Sequence, residues 1–419
     1  MSDITEALSK LAREESGRVL ALLAARFSSV DLADDCVQDA LVQAVETWSD
    51  QGIPANPASW LYTVAHNRII DRLRRDATAR RRLQAAAPEL TTMAFDNAAE
   101  QEEVPIVEAR EVGDEQLRLM LLCCHPALDR DTQIALTLRL VGGLTTPEIA
   151  AAFLVAEATL AQRIVRAKRK IRDARIPLSI PAELDERVDA LLTVLYLVFN
   201  EGYLARGGSP DAVRVSLADE ALRLTGLAIE LLPGPSPARA EAEALLALEL
   251  YHRSRLETRL DGAGDIVLLA DQDRSRWNGA LIAQANGILK RVLGTGPAGQ
   301  YQLQALIASQ HANAVTSADT DWITIAALYE QLMRVAGSPV VALNHAVAVS
   351  MADGPRAGLA LLDELATPLE NYHLYWASRG ELLARTASRD LAREAFTRAR
   401  ALTANPAEQR HLDRRIAGV

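Results

Sequence analysis

Between residues 163 and 175 the chain concentrates side chains that can bind nucleic acid. Seven Lys and Arg residues stand there against a single acid, Asp173. Cations at this density neutralise phosphates, and Gln162, Arg163 and Arg166 carry donors that can reach base edges in a major groove. The alternative is the solvated end of a helix in an ordinary helical bundle.

Apolar residues recur through the same segment at steps of four, three and four, which predicts one buried stripe on a helix. They are Leu160, Ile164, Ala167 and Ile171. Just upstream, Thr145 or Thr146 can cap a shorter helix, with Pro147 in its first position and Glu148 at its positive end. Two helices joined by a tight turn, the second cationic on its free side, predict a helix-turn-helix.

A second basic segment lies earlier in the chain, where seven Arg between residues 68 and 82 oppose Asp71 and Asp76. The preceding residues predict a helix over 58–75, capped by Asn56 and opened by Pro57. Its core stripe is Leu61, Ala65, Ile69 and Leu73. The rest of its surface mixes aromatic and basic groups, which suits stacking of unpaired bases while arginines hold the backbone. The plainer interpretation makes Trp60 a core residue and the arginines solubilising charges.

Residues 31–48 predict an amphipathic helix with an acidic face. Leu32, Val37, Leu41, Ala44, Val45 and Trp48 form its apolar side. Its polar side carries Asp34, Asp35, Gln38 and Asp39. Such a face is usually only solvated, and partner binding is the alternative.

Composition predicts an almost all-helical protein of two to four domains. The chain has 419 residues, of which 49% are hydrophobic and only 4% aromatic, and few alternating β-type runs appear. A net charge of −10 argues against indiscriminate coating of nucleic acid. Two basic patches on an acidic chain suit a DNA-binding protein that also has a protein partner. No signal sequence or apolar run of about 20 residues is seen, so we expect a cytoplasmic protein without a membrane partner.

The three cysteines do not suggest a disulfide framework. Cys123, Cys124 and His125 are adjacent, whereas metal-binding cysteines normally stand two to four residues apart. We therefore expect buried cysteines and neither a metal nor a cofactor. The acids that follow Asp261 lack the spacing of a calcium loop, so a turn, a short extended piece and a new helix are predicted there.

We divide the chain into residues 1–85, an acidic linker at 86–112, the helix-turn-helix domain at 113–176 and a helical extension at 182–419. Within the extension, helices are predicted near 211–232, 237–258, 274–293, 298–316 and 321–336. Residues 321–419 are predicted to hold degenerate tetratricopeptide-like repeats. The observation is a common offset of 35 between Ala342, Ala357, Ala360, Leu361 and Ala377, Ala392, Ala395, Phe396. A turn is expected at Asp353-Gly354-Pro355, and a capping helix near His411.

Taken in order, three segments resemble the sigma-70 family of bacterial transcription initiation factors, and most closely its extracytoplasmic-function (ECF) group. DLADDCVQDALVQAVETW resembles the segment that holds the clamp helices of RNA polymerase. NPASWLYTVAHNRIIDRLRR resembles the helix that recognises and opens the −10 promoter element, and LTLRLVGGLTTPEIAAAFLVAEATLAQRIVRAKRKIR the domain that reads the −35 element. Compact members end near residue 180, so this chain resembles the subgroup with a long tetratricopeptide-like extension. Leu154 stands where many relatives have Gly, and CCHPAL replaces a proline-rich lead-in.

The resemblance implies a sigma factor that binds core RNA polymerase, through its β′ clamp helices and β flap, and promoter DNA. Polymerase binding would fall to Asp34, Asp35, Gln38 and Asp39. Contacts with the −10 element would come from Trp60, His66, Asn67, Arg68, Arg72 and Arg75. Contacts with the −35 element would come from Thr159, Gln162, Arg163, Arg166, Lys168, Arg169 and Lys170, the last three holding phosphates.

The extension is expected to regulate activity, either by binding a regulatory protein or by packing on the DNA-binding domains. Packing is favoured because no long flexible linker precedes Leu184. The alternative function is a helix-turn-helix regulator with a tetratricopeptide-like sensor that does not bind core polymerase. An enzyme is disfavoured, since no Ser/His/Asp order, phosphate-cradling glycine loop or metal set is apparent; Tyr203, His252 and His345 are expected to be structural.

Overall fold

The computed structural model describes residues 11, 15–86, 109–153, 155–179, 184–203, 211–232, 234–262, 265–294, 296–403 and 405–419. The chain divides into two compact units, residues 1–194 and 195–419. Throughout the described residues regular structure is helical, apart from one isolated antiparallel bridge between Leu260 and Ile266. The all-α prediction is confirmed. Among these helices none combines the length and apolarity needed to cross a bilayer.

The first unit holds the segments that carry the predicted binding residues. Its helices are α1 (Ser16–Phe27), α2 (Val30–Gln51), α3 (Pro57–Ala86), α4 (Ala109–Cys123), α5 (Arg130–Leu136), α6 (Thr146–Ala152) and α7 (Glu157–Asp173). A π-helical turn, Thr137–Val141, continues α5. The next helix, α8 (Leu184–Tyr203), contains the last residues of the first unit and the first of the second. Predictions for residues 1–10, most of the 86–112 linker and Leu154 lie outside the described residues.

Side-chain caps set the start of three of these helices. Ser29 accepts a hydrogen bond from the Leu32 amide at the start of α2, and Asn56 caps α3 as predicted. At α6, the Thr145 amide and hydroxyl both donate to the Glu148 carboxylate at 2.7 Å, while the Glu148 amide donates back to the Thr145 hydroxyl. This capping box fixes the entry of the helix-turn-helix. It also moves Pro147 to the second helical position rather than the first.

Helix α3 is longer than predicted. It continues from the predicted end at residue 75 to Ala86, because the intervening sequence DATARRRLQAA consists mainly of strong helix formers. Leu61, Ala65 and Ile69 are buried as predicted, but Leu73 is exposed. Residues 71–79 are all exposed, so the basic part of the helix projects from the core instead of lying on it.

The first unit packs its N-terminal helices directly against the helices that precede the helix-turn-helix. Helix α1 lies against α2, α3 and α4. Its backbone comes so close to the π-helical turn that a Cβ on Gly17 would stand 2.6 Å from the Val141 carbonyl oxygen. Only glycine tolerates such an approach without a shift of the backbone.

The adjacent cysteines belong to this core, as predicted. Cys123 and Cys124 are both fully buried, and burial raises the pKa of the Cys124 thiol to about 12. The turn that follows them is held by Gln133, whose side-chain amide donates to the carbonyl oxygens of Cys124, His125 and Leu128. A buried side chain that satisfies several turn carbonyls fixes the spacing between α4 and α5.

The second unit consists of helices in antiparallel succession. They are α9 (Asp211–Leu231), α10 (Pro237–Ser254), α11 (Gly279–Val292), α12 (Gln300–Asn313), α13 (Trp322–Ala336), α14 (Pro339–Ala352), α15 (Pro355–Glu364), α16 (His373–Arg385), α17 (Arg389–Leu402) and α18 (Pro406–Ala417). The segment after Asp261 forms the predicted turn, a short extended piece and then α11. Its Asp265 carboxylate pairs with Arg410 and Arg414 of α18.

The repeat in the last hundred residues is 34 residues long, so the predicted offset of 35 is wrong by one. Pro339 and Pro355 open α14 and α15, and the matching helices open 34 positions later. The 35-residue alignment pairs exposed Ala360 with buried Ala395, whereas the 34-residue alignment pairs buried Leu362 with buried Phe396. Small residues at several positions made both offsets plausible in the sequence.

The helical pairs close in the predicted manner. Gly354, with φ +100°, forms the turn between α14 and α15. Helix α18 packs on α17, with Leu412 buried in the shared apolar cluster, and so takes the position of the predicted capping helix.

Candidate nucleic-acid interface

Helix α7 presents two faces, as its sequence predicts. The stripe Leu160, Ile164, Ala167 and Ile171 is buried. The opposite side exposes Thr159, Gln162, Val165, Arg166 and Arg169. Polar, cationic and apolar groups on one exposed helix are the combination that reads base edges.

Val165 was missed by the sequence reasoning. Its side chain is 64% exposed, between Gln162 and Arg169 on the same face. A signal was available, because positions three and four residues apart share a helical face. An exposed aliphatic side chain there can contact a thymine methyl group.

Arginines on α7 differ in how far they are already engaged. Arg166 is exposed and makes no ion pair or side-chain hydrogen bond with any residue that the structure describes. Arg163 lies 3.2 Å from the Asp131 carboxylate, and Arg169 pairs with Asp173 one turn along its own helix. Arg166 therefore has its full donor set available for a ligand.

Two lysines on α7 point back into the protein. Lys170 donates to the Ala127 carbonyl oxygen. Lys168, predicted on the free cationic face, is only 10% exposed, and its ammonium lies 2.7 Å from an Asp34 carboxylate oxygen. Burial lowers the pKa of Lys168, but attraction to Asp34, Asp35 and Asp31 outweighs burial and raises it. Lys168 is therefore a charged group held inside the unit.

Helix α3 places the predicted −10 aromatics at the edge of the core. The Trp60 ring meets fully buried Trp48 edge-on at 5.5 Å between centroids. His66 stacks on Tyr62 at 5.8 Å and lies 5.4 Å from Phe27. Trp60 and His66 are half-buried, so each keeps one side accessible while the other packs. This support holds the rings in fixed orientations.

The predicted −10 arginines face the acidic helix. Arg68 donates to Gln43 at 2.8 Å and lies 3.7 Å from the Asp39 carboxylate. Arg72 lies 3.3 Å from an Asp35 oxygen; burial lowers the pKa of Arg72, but Asp35 more than compensates and raises it. Asn67 and Arg75 are exposed, the latter bonded to the Asp71 carbonyl.

The acidic face of α2 is not uniformly solvated, in contrast to the expectation. Asp34 is 3% exposed because Lys168 covers it, whereas Asp35 and Asp39 are exposed and Gln38 is half-buried. Val42 and Val45 are exposed further along the helix. Val45 was expected on the apolar side that faces the core.

Comparison with known proteins matches this organisation. The model of sigma-70 region 2 matches residues 11–79, and that of sigma-70 region 4 matches residues 118–171. A family of unknown function, DUF6596, matches residues 187–293. The chain belongs to the sigma-70 family, as an ECF-like factor with a C-terminal extension. An uncharacterized protein of Rhizobium meliloti (strain 1021) is 42% identical over 388 residues, which cover 92% of this chain and 89% of that protein.

Membership assigns the chain its general role. Regions 2 and 4 are those of sigma factors, which act in transcription initiation together with core RNA polymerase and promoter DNA. Region 2 comprises α1–α3, and region 4 comprises α4 to α7. The comparisons do not assign roles to individual residues.

Proposed function

We propose that this chain is an alternative sigma factor that binds core polymerase and selects promoters by a −10 and a −35 element. The observation that carries the proposal is the exposed face of α7, where Arg166 is unpaired among the described residues and adjoins Gln162 and Val165. A structural helix end would gain nothing from an unpaired arginine beside an exposed valine. A helix that enters a major groove needs both groups.

The three surfaces divide the work. Exposed Asp35, Asp39 and Gln38 of α2, with Asp34, dock on the β′ clamp helices, and exposed Val42 adds apolar contact area. Region 4 docks on the β flap. Region 2 then meets the −10 element.

On α3, Trp60 and His66 stack on unpaired bases, while Asn67, Arg68, Arg72 and Arg75 hold the strand. Opening DNA costs a few kcal/mol per unstacked step, and stacking on a fixed ring offsets it. The support of Trp60 by Trp48 favours this role, since a ring already held in place loses little freedom on binding.

On α7, Arg163, Arg166, Gln162 and Thr159 face the bases of the −35 element. Lys168, Arg169 and Lys170 hold phosphates.

Transcription in vitro tests the proposal. Full-length protein and core polymerase are incubated with a library of random duplexes, and run-off transcripts are selected and sequenced. We expect transcripts that start at a fixed distance from two enriched motifs, and none with core polymerase alone. Output that does not depend on the protein refutes the proposal; stable DNA binding without polymerase binding favours the sensor-regulator alternative.

We further infer that the extension regulates this activity by binding a protein partner. Supporting this, the second unit has tandem helical pairs of 34 residues closed by α18, an architecture that commonly presents a binding surface. The test is transcription with the full chain carrying Gly380→Leu, which forces α16 from α17 because a Cβ at this position would stand 2.7 Å from the Phe396 ring. Gly226→Ala, in open space on α9, is the control. Equal output from both variants, in cell extract and with purified components, counts against regulation.

A further inference from the structure

Cationic groups from both DNA-binding helices meet on one acidic residue of α2. Asp35 has one carboxylate oxygen 3.3 Å from Arg72 of α3 and the other 3.7 Å from Lys168 of α7. The helices assigned to the −10 and −35 elements therefore approach each other at these side chains.

Promoter geometry is incompatible with that approach. Elements named −10 and −35 lie about 25 base pairs apart, which is roughly 85 Å of B-form duplex at 3.4 Å per base pair. Arg72 and Lys168 cannot share a carboxylate while each contacts its own element. The arrangement in this structure is consequently not the arrangement on a promoter.

The contact between regions 2 and 4 is built as an interface rather than a loose surface encounter. Lys168 reaches Asp34 at 2.7 Å and Asp31 at 3.5 Å, and Arg172 lies 3.0 Å from the other Asp31 oxygen. Beside these ion pairs, the Gly17 backbone of α1 rests on the Val141 carbonyl.

Burial makes the pair between Lys168 and Asp34 specific to this closed arrangement. The Asp34 side chain is 4% exposed and that of Lys168 10% exposed. The second Asp34 oxygen is buried and has no hydrogen-bond partner among the described residues. A buried carboxylate that loses its only cation is strongly destabilised, whereas the same carboxylate in water is not.

We propose that regions 2 and 4 hold each other in a closed, self-inhibited state in which Lys168 of the −35 helix occupies the Asp31–Asp34–Asp35 surface of the polymerase-docking helix. Rupture of this contact releases the acids for polymerase and Lys168 for DNA phosphate at once. Polymerase and promoter therefore each favour the open state, and each strengthens the binding of the other. The use of the released surfaces rests on the proposed function; closure itself does not.

The distance between the two regions measures closure without polymerase. Cysteines introduced at exposed Ser49 on α2 and Ala158 on α7 can carry a fluorophore pair, because the native Cys36, Cys123 and Cys124 are all buried. The full-length protein is expected to give one short-distance population.

Lys168→Gln is expected to shift that population to long distances, because Asp34 is hydrated only when the regions separate. Arg169→Gln is the matched control, since Arg169 is on the same helix, 72% exposed, and pairs only with Asp173. Gly17→Ala is a second variant that keeps every charge: its new Cβ would meet the Val141 oxygen at 2.6 Å and force the regions apart. Circular dichroism checks that helical content matches the unmodified protein.

Affinity for core polymerase supplies the second readout. If only the open fraction binds, the apparent dissociation constant is the intrinsic constant divided by that fraction. Lys168→Gln and Gly17→Ala should therefore bind about tenfold more tightly, and Arg169→Gln within twofold of the unmodified protein. Folded variants that keep the short distance overturn the proposal. Variants that open while no form binds polymerase support closure and overturn the proposed function instead.

Discussion

Replacement of Arg166 by Ala separates base reading from general DNA affinity. Arg166 is exposed and has no partner among the described residues, so its removal breaks no contact of the folded protein there. Stability should change by less than about 0.5 kcal/mol. Loss of a base contact should weaken a selected −35 sequence by about 1–3 kcal/mol, or roughly 5- to 150-fold in dissociation constant.

Arg169→Ala is the matched comparison on the same face of α7. Arg169 is 72% exposed and its only recorded partner is the neighbouring Asp173, so its removal is equally harmless to the fold. As a phosphate contact, it should weaken selected and random duplexes alike and reduce the salt dependence of binding by about one ion.

Fluorescence anisotropy of the polymerase-bound protein with selected and scrambled −35 duplexes, over a salt series, provides the measurement. The Arg166 variant should lose discrimination between duplexes, and the Arg169 variant should retain it. An equal loss on both duplexes for Arg166→Ala would refute its assignment as a base-reading residue.

Three further predictions concern the second unit. Burial raises the pKa of Glu249 well above its ordinary value, so stability should fall as pH rises above 5, by up to about 1.4 kcal/mol per pH unit; Glu249→Gln should flatten this dependence in urea unfolding between pH 5 and 8, and an unchanged slope would contradict it. Burial lowers the pKa of His311 to about 4, so stability should fall as pH drops from 6.5 towards 4; His311→Gln should remove up to about 3 kcal/mol of that loss, and identical acid titrations of both proteins would exclude the effect. Gly380→Val should lower unfolding free energy by about 1–3 kcal/mol because its side chain meets the Phe396 ring, whereas Gly226→Ala should raise it by about 0.5–1 kcal/mol; calorimetric melting temperatures that do not move in opposite directions would disprove this.

Local features of the fold could be predicted from sequence because their causes lie within one or two helical turns. The stripe from Leu160 to Ile171 is buried as its period predicts, and Asn56 caps α3. The start of α6 was approximated for the same reason, with Thr145 as its cap. The length of α3 was underestimated because the search for an apolar stripe stops where the helix leaves the core, although its backbone propensity does not.

Contacts between distant segments could not be predicted in the same way. Asp34 and Lys168 each looked like members of a solvated face, and only their approach in three dimensions makes them a buried pair. A charge pattern on one helix does not specify which other helix will cover it. The repeat offset was wrong by one because alanines at Ala357 and Ala360 fit either alignment, and burial of Leu362 decides between them.

Binding to core RNA polymerase tests the central claim most directly. The purified full-length protein is mixed with core polymerase that lacks any sigma factor, and complex formation is followed by size-exclusion chromatography together with run-off transcription. The account predicts a stoichiometric complex and initiation from templates that core polymerase alone ignores. A protein that neither joins core polymerase nor changes its start sites would contradict it.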